Sequence, residues 1–108
     1  MLCDRFVIAM EAMLKASAGQ FSALEGLTRE GGQIVFVSSD KRKIENTAPN
    51  AKPVKLPSGN WYVNAAGGKV EFEIIIDSSR RHLGLPVGFV EELKRKTIFR
   101  PEIKIDYE

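Results

Sequence analysis

Gln-Ile-Val-Phe-Val-Ser-Ser, residues 33–39, contains four consecutive apolar residues, and three of these are β-branched. Two glycines precede the run and polar residues follow it. A short, uninterrupted apolar run with such boundaries is typical of a strand that is covered on both faces. We therefore predict that this segment forms a strand near the middle of a sheet.

Two segments further along the chain predict a β-hairpin. Trp61–Val63 combines aromatic and β-branched residues, and Lys69–Ile76 alternates between apolar and charged side chains along most of its length. Every second residue of the later segment would face the core, namely Val70, Phe72, Ile74 and Ile76. The intervening Ala65–Gly68 offers glycines for the positive φ angles of a tight turn. The two segments are predicted to pair as antiparallel strands.

Residues 99–108 predict a fourth strand with one apolar and one charged face. Its apolar side carries Phe99, Pro101, Ile103, Ile105 and Tyr107. Because proline has no N–H to donate, this strand is predicted at a sheet edge. Such an edge can pair with a second copy or with a partner strand, which makes an interface of Phe99, Ile103, Ile105 and Tyr107.

Three segments have helical character. Apolar residues recur at three- and four-residue steps between residues 4 and 18, as in an amphipathic helix. Ser22 and Glu25 have the spacing of a capping box for a short second helix. Residues 89–96, FVEELKRK, place acids before bases, which suits the helix dipole.

The resulting order of elements is α-α-β-β-β-α-β. It predicts an α+β fold with a mainly antiparallel sheet of about four strands and helices packed on one face. A length of 108 residues predicts a single domain, 1–108. Residues 39–60 have three prolines and no periodicity, so we predict a long loop there.

The composition is that of an ordinary globular protein, with 44% hydrophobic and 28% charged residues. Cys3 is the only cysteine, so no intramolecular disulfide can form and a reducing, cytoplasmic location is predicted. No apolar stretch is long enough to span a bilayer. One histidine and one cysteine give no clustered metal ligands, and no cofactor motif is present, so we predict neither a metal nor a cofactor.

Positive charge is concentrated in one part of the chain. Residues 40–59 carry five basic and two acidic side chains, a net charge of +3, although the whole chain has only +2. If the fold brings two basic turns to one end of the sheet, with Trp61 or Tyr62 nearby for stacking, the turns would form a patch for nucleic acid or other anions. The residues are Lys41, Arg42, Lys43, Arg80, Arg81 and His82. Two of the three charges of the third basic triplet, 94–96, can be paired within the same helix by Glu91 and Glu92.

No catalytic residue can be assigned from the sequence. The one histidine, His82, follows two arginines, and only a cleft that joins it to a carboxylate would favour catalysis. Glu71 and Glu73 would share a strand face as a paired-carboxylate site, although alternating acids are common on solvated strands. A small enzyme with dispersed acid–base residues is therefore the third hypothesis for the function.

The first hypothesis is a non-enzymatic binding module that associates with itself or with a protein partner. Its contact surfaces would be the 39–60 loop and the apolar face of the last strand. Nucleic-acid binding through the two basic turns is the alternative. Membrane partners are not expected.

Overall fold

The protein contains a four-stranded antiparallel sheet and four α-helices in residues 2–17 and 19–98, the ranges that the computed structural model describes. In chain order these are α1 Leu2–Ser17, a 3₁₀ helix Gln20–Leu24, β1 Leu27–Thr28, β2 Val35–Ser38, α2 Lys41–Glu45, β3 Pro53–Lys55, β4 Tyr62–Asn64, α3 Lys69–Leu83 and α4 Val87–Lys96. The predicted α+β class is confirmed.

The strands are arranged in the order β1-β2-β4-β3, so β2 occupies the central position that its apolar run predicts. Val63 of β4 lies opposite Val37 of β2 and opposite Val54 of β3. β3 and β4 form a hairpin that is closed by a 2.8 Å hydrogen bond from the Leu56 N–H to the Trp61 carbonyl. Consequently β1 and β3 are the two edges of the described sheet.

One cluster of buried side chains joins the helices to the sheet. The residues that α1 contributes recur at helical spacing: Phe6, Ala9, Met10 and Met13. They meet Phe36 and Val63 of the sheet and Phe72 of α3 in the same cluster. The predicted first helix is confirmed, because its apolar stripe faces this core.

The predicted strand Lys69–Ile76 is wrong, since these residues form the first half of helix α3. The buried residues of α3 are spaced for a helix: Phe72, Ile75, Ile76, Ser79 and Leu83. Val70, which a strand would have placed beside Phe72, is 65% exposed. The alternation of apolar and charged residues at 69–76 is compatible with a strand and with a helix. The helix buries more apolar area because its period continues beyond this segment.

The predicted hairpin between Trp61–Val63 and Lys69–Ile76 is therefore also wrong. Its supposed turn leads from β4 into α3 instead. Gly68 is the N-cap of α3, and its N–H donates a hydrogen bond of 3.2 Å to the Glu71 carboxylate. A Cβ atom at Gly67 would lie 3.1 Å from the Phe72 ring, so glycine permits a close approach there.

The segment 39–60, predicted as one long loop, contains α2 and β3. Asp40 caps α2 by accepting a 2.9 Å hydrogen bond from the Arg42 N–H. Ile44 and Leu56 are completely buried. The few apolar residues of this segment are thus sufficient to anchor it to the sheet.

The short second helix is present as the 3₁₀ helix Gln20–Leu24, and it buries Phe21 and Leu24. The predicted capping box is wrong, because the N-cap is Gly19 and Glu25 lies at the C-terminal end. A tertiary contact that is described below engages the Glu25 carboxylate instead.

Helix α4 is confirmed, and it is fastened to α3 by a buried lysine. The Lys94 ammonium lies 2.7 Å from Glu91, 3.0 Å from Asp77 and 3.8 Å from Glu73. Burial alone would lower the pKa of Lys94, but hydrogen bonds to Glu91 and Asp77 outweigh it and raise the pKa above its usual value. Lys94 is therefore a structural cation between two helices.

The predicted last strand, with Phe99, Ile103, Ile105 and Tyr107, lies outside the described residues. The single-domain organisation stays a prediction. Within the described ranges, no helix combines the length and the apolar character that crossing a membrane requires.

Replacing Phe72 and Val70 by alanine distinguishes the helix from the predicted strand. We expect Phe72→Ala to lower the free energy of unfolding by about 3–5 kcal/mol, because it leaves a cavity in the core. Val70→Ala should change it by less than about 0.5 kcal/mol, since Val70 is exposed. Urea titration measures both. Similar large losses for the two variants would contradict a helix, because only a strand buries both residues.

Candidate functional site

Glu25 connects the end of the 3₁₀ helix to the end of β2, which leads into the first predicted basic turn. Its carboxylate accepts hydrogen bonds from the Ser38 hydroxyl at 2.6 Å, the Ser39 N–H at 2.9 Å and the Ser39 hydroxyl at 2.8 Å. These bonds tie the end of the 3₁₀ helix to the end of β2. They fix the direction in which the chain enters α2.

The environment of Glu25 keeps it ionised at neutral pH. Partial burial raises the pKa of Glu25, but the hydrogen bonds from Ser38 and Ser39 outweigh this effect. Together with the positive charge of Lys43, they hold the pKa below its usual value of 4.5. The negative charge of Glu25 thus lies beside the first predicted basic turn.

That first basic turn forms the start of α2. Lys41 pairs with Glu45 one helical turn away, at 4.0 Å. The side chains of Arg42 and Lys43 are exposed, and neither forms an ion pair with any residue that the structure describes. Lys43 interacts with Glu25 at longer range. Arg42 is therefore available to an external anion.

The second basic turn is the end of α3. Arg80 donates a hydrogen bond of 3.3 Å to the Leu85 carbonyl and so helps to close the chain after the helix. The His82 Nδ1 atom lies 2.8 Å from the Ser78 carbonyl oxygen, which requires a proton on Nδ1 because a carbonyl can only accept. Arg81 is exposed and has no ion pair among the described residues.

An open cleft of about 440 Å³ brings part of the second basic turn to Glu25. Arg81, His82 and Ser78 line one side of it, and Glu25 and Thr28 lie on the other. Lys43 thus interacts with Glu25 and Arg81 lines the same cleft as Glu25, although the two basic residues are 38 positions apart in the sequence. Lys41, Arg42 and Arg80 are not among the residues that line this cleft.

The two aromatic residues considered for stacking are placed differently. Trp61 packs edge-on against Phe21, with ring centroids 5.3 Å apart, and belongs to the border of the core. Tyr62 is only partly buried and lies opposite Ser38 across the β2–β4 pair. Neither ring is among those that line the Glu25 cleft.

The cleft also joins His82 to the acids Glu25 and Glu30, the arrangement that would favour catalysis. However, the Glu25 oxygens are occupied by three hydrogen bonds, so this carboxylate holds the chain rather than acting as a base. The predicted Glu71–Glu73 pair is wrong, because on a helix the two side chains diverge. Glu71 faces Arg29 and Glu73 faces Lys94.

Sequence reasoning missed a second cleft of about 310 Å³ beside the N-terminal end of α3. Arg29 and Glu71, 4.0 Å apart, lie on its walls with Gln33 and Gly32. The pair Gly31-Gly32 was visible as a turn signal, and Gly31 has a φ of 76°. Nothing in the local sequence indicated that this turn would meet α3. Among the described residues, no group of three or more His, Cys, Asp or Glu could hold a metal ion.

We expect Glu25→Gln to lower the free energy of unfolding by about 1 kcal/mol at neutral pH, because hydrogen bonds to a charged acceptor are stronger and this site is partly exposed. The pKa of Glu25 is lower in the folded than in the unfolded protein. Its ionised form therefore stabilises the fold above about pH 4.5, and this contribution is lost as the pH falls through the folded-state value.

Urea titrations from neutral pH to about pH 3 test this dependence. The difference between wild type and Glu25→Gln should be constant above the usual pKa and shrink below it. Glu30→Gln is the matched control, because Glu30 lines the same cleft without a hydrogen bond or ion pair to the described residues. A difference for Glu25→Gln that stays constant down to pH 3 would contradict the assigned role.

No family model matches the sequence. No curated protein matches it either. Among solved structures, the crystal structure of V. cholerae SeqA is similar, with a TM-score of 0.71 over 88% of this chain and 80% of that chain. The two sequences are 15% identical. At that identity the similarity establishes a shared α+β fold and no more.

Proposed function

We propose that the protein is a non-enzymatic module that binds nucleic acid through the phosphate groups. The contact surface comprises Arg42 and Lys43 at the start of α2 and Arg81 at the end of α3. One observation carries the proposal: Glu25 interacts with Lys43 of the first basic turn and shares a cleft with Arg81 of the second. His82 lines the same cleft.

The distribution of ion pairs supports this choice of surface. Arg95 and Lys96 at the end of α4 both pair with Glu92, and Lys94 is enclosed by three acids. By contrast, Arg42 and Arg81 have no acidic partner within the described ranges. A guanidinium group matches the geometry of phosphate oxygens and can bind them bidentately. The basic side chains at the end of α4 therefore each have an acidic partner, whereas those of Arg42 and Arg81 have none among the described residues.

The hypothesis of a protein partner loses one of its premises. It relied on a long loop at 39–60 as a variable contact surface, but this segment contains a capped helix and an edge strand. Self-association through the predicted interface Phe99, Ile103, Ile105 and Tyr107 has no support from the described residues. A nucleic-acid-binding module is compatible with the cytoplasmic location that the single cysteine predicts.

The double variant Arg42→Ala/Arg81→Ala tests the surface directly. We expect it to weaken binding of a labelled random oligonucleotide by about tenfold at low salt. The slope of log affinity against log salt concentration should fall by about 2, one for each lost phosphate contact. Fluorescence anisotropy with single- and double-stranded oligonucleotides, titrated at low and near-physiological salt, measures both quantities.

Arg95→Ala/Lys96→Ala is the matched control. It removes the same number of positive charges at the end of α4, where both side chains pair with Glu92 and one of the two charges is offset. Equal losses in the two double variants would indicate attraction by net charge rather than a defined surface. No binding by the wild type at low salt would refute the proposed function. A loss confined to Arg29→Ala would move the contact to the cleft beside the start of α3.

A further inference from the structure

A groove of about 270 Å³ lies between α1 and the edge strand β3. Val7 and Ile8 of α1 line it together with Val54 of β3 and Ala65, which follows β4. Ile8 is 58% exposed, although isoleucine is among the residues most often buried in proteins. Each molecule thus presents a large apolar side chain at the border of an apolar groove.

Two charges of opposite sign complete the lining of the groove. Asp4 belongs to the first turn of α1, and Lys52 directly precedes β3. Both side chains are exposed, and Lys52 forms no ion pair with any residue that the structure describes. Because the two charges sum to zero, the groove does not repel a second copy of itself, and each charge is complementary to the other.

The apolar surface of α1 continues one turn further along the helix. Ala12, four residues after Ile8, lines a second cleft of about 240 Å³ together with Phe89 of α4. Residues four positions apart are neighbours on a helix surface, so Ile8 and Ala12 join the two clefts. Phe89 is 39% exposed, and the two charges of this cleft, Glu92 and Lys96, pair with each other at 3.4 Å. An exposed apolar surface with balanced charges is typical of a protein interaction site.

The backbone of β3 is a poor template for an added strand. Pro53 has no N–H to donate, and Lys55 is exposed on the same strand. Proline and lysine on an edge strand both disfavour pairing with a further strand. A partner at this groove is therefore expected to bind through the side chains of α1 and the groove rather than by extending the sheet.

We propose that a second copy of the chain docks on this surface and forms a two-fold symmetric dimer. In such a contact the same patch faces itself, so Ile8 of each copy meets the groove of the other and Asp4 of each copy faces Lys52 of the other. A second copy is favoured because one patch supplies the exposed apolar side chain and its groove as well as both members of the ion pair. A polyanion is disfavoured because the charges of the patch sum to zero. The inference does not depend on the proposed nucleic-acid binding, since neither Arg42 nor Arg81 belongs to the patch.

Exchanging the two charges tests the symmetry of the contact. Stable interfaces use about 20–30 residues on each side, so this smaller patch should give a weak dimer with a Kd of about 1–100 µM. Asp4→Lys and Lys52→Asp should each raise the Kd about tenfold, because like charges then face each other. The double variant Asp4→Lys/Lys52→Asp restores opposite charges and should return the Kd to within about threefold of the wild-type value. Sedimentation equilibrium measures all four Kd values.

Two results of this experiment would overturn the proposal. One is a wild type that remains monomeric up to about 1 mM. The other is a double variant that associates no more tightly than the single variants. Far-ultraviolet circular dichroism of each variant verifies the fold, because a lysine in the first turn of α1 is less favourable for the helix dipole than Asp4.

Ile8→Asp and Val70→Asp form a matched pair, because each replaces an exposed apolar residue of a helix by an acid. Ile8→Asp should raise the Kd at least about tenfold, since it places a charge in the apolar contact. Val70 lies on α3 and is not among the residues that line either cleft, so Val70→Asp should leave the Kd unchanged. A dimer that Ile8→Asp leaves intact would overturn the proposal and place the interface elsewhere.

Cys3 reports on the same contact in the wild-type protein, because it is the only cysteine and it lines the groove. Its rate of alkylation by iodoacetamide should fall as the protein concentration rises through the Kd. In Ile8→Asp the rate should not depend on the protein concentration. A constant rate in the wild type, at concentrations where sedimentation detects a dimer, would show that the dimer leaves the groove open and would also overturn the proposal.

Discussion

The stacking of Phe6 on Phe72 is the contact on which the remaining structure depends. The rings are completely buried, 4.1 Å apart and inclined by only 10°. This contact fixes α1 against α3 and brings both helices onto the sheet. It also determines the sequence that precedes α3, because a side chain at Gly67 would meet the Phe72 ring. The Glu25 cleft and the cleft beside the start of α3 both have residues of α3 on one wall.

The sequence correctly predicted the elements whose hydrophobic pattern has one interpretation. It failed where the same residues fitted both the period of a strand and the period of a helix. The stripe of α1 and the apolar run of β2 each specify a single structure. Residues 69–76 satisfy a strand pattern locally, and only the continuation to Leu83 shows the helical period. Glycines added to the ambiguity. Gly68, which caps α3, was equally suitable for a hairpin turn.

The candidate site was predictable as two basic turns but not as one surface. Glu25, which lines a cleft with the second turn, bonds to residues 13 and 14 positions away beside the first turn, and no local pattern predicts such contacts. The local spacing of Ser22 and Glu25 even favoured a different partner for this carboxylate. The burial of Lys94 could not be predicted for the same reason, because two of its three acidic neighbours belong to α3.

The net charge of +2 is too small to attract a polyanion by itself, so the proposed binding depends on which individual charges are paired. Glu25 has two opposing effects at its cleft. It fixes the chain that leads into the first basic turn, and it partly offsets the charge of Lys43. The guanidinium groups of Arg42 and Arg81 then supply most of the unneutralised charge. A surface with so few free cations binds phosphates weakly and is sensitive to salt, because each contact releases about one counterion. The proposed binding at physiological salt would therefore require contacts beyond the phosphates, and His82, which lines the cleft, is placed to provide one.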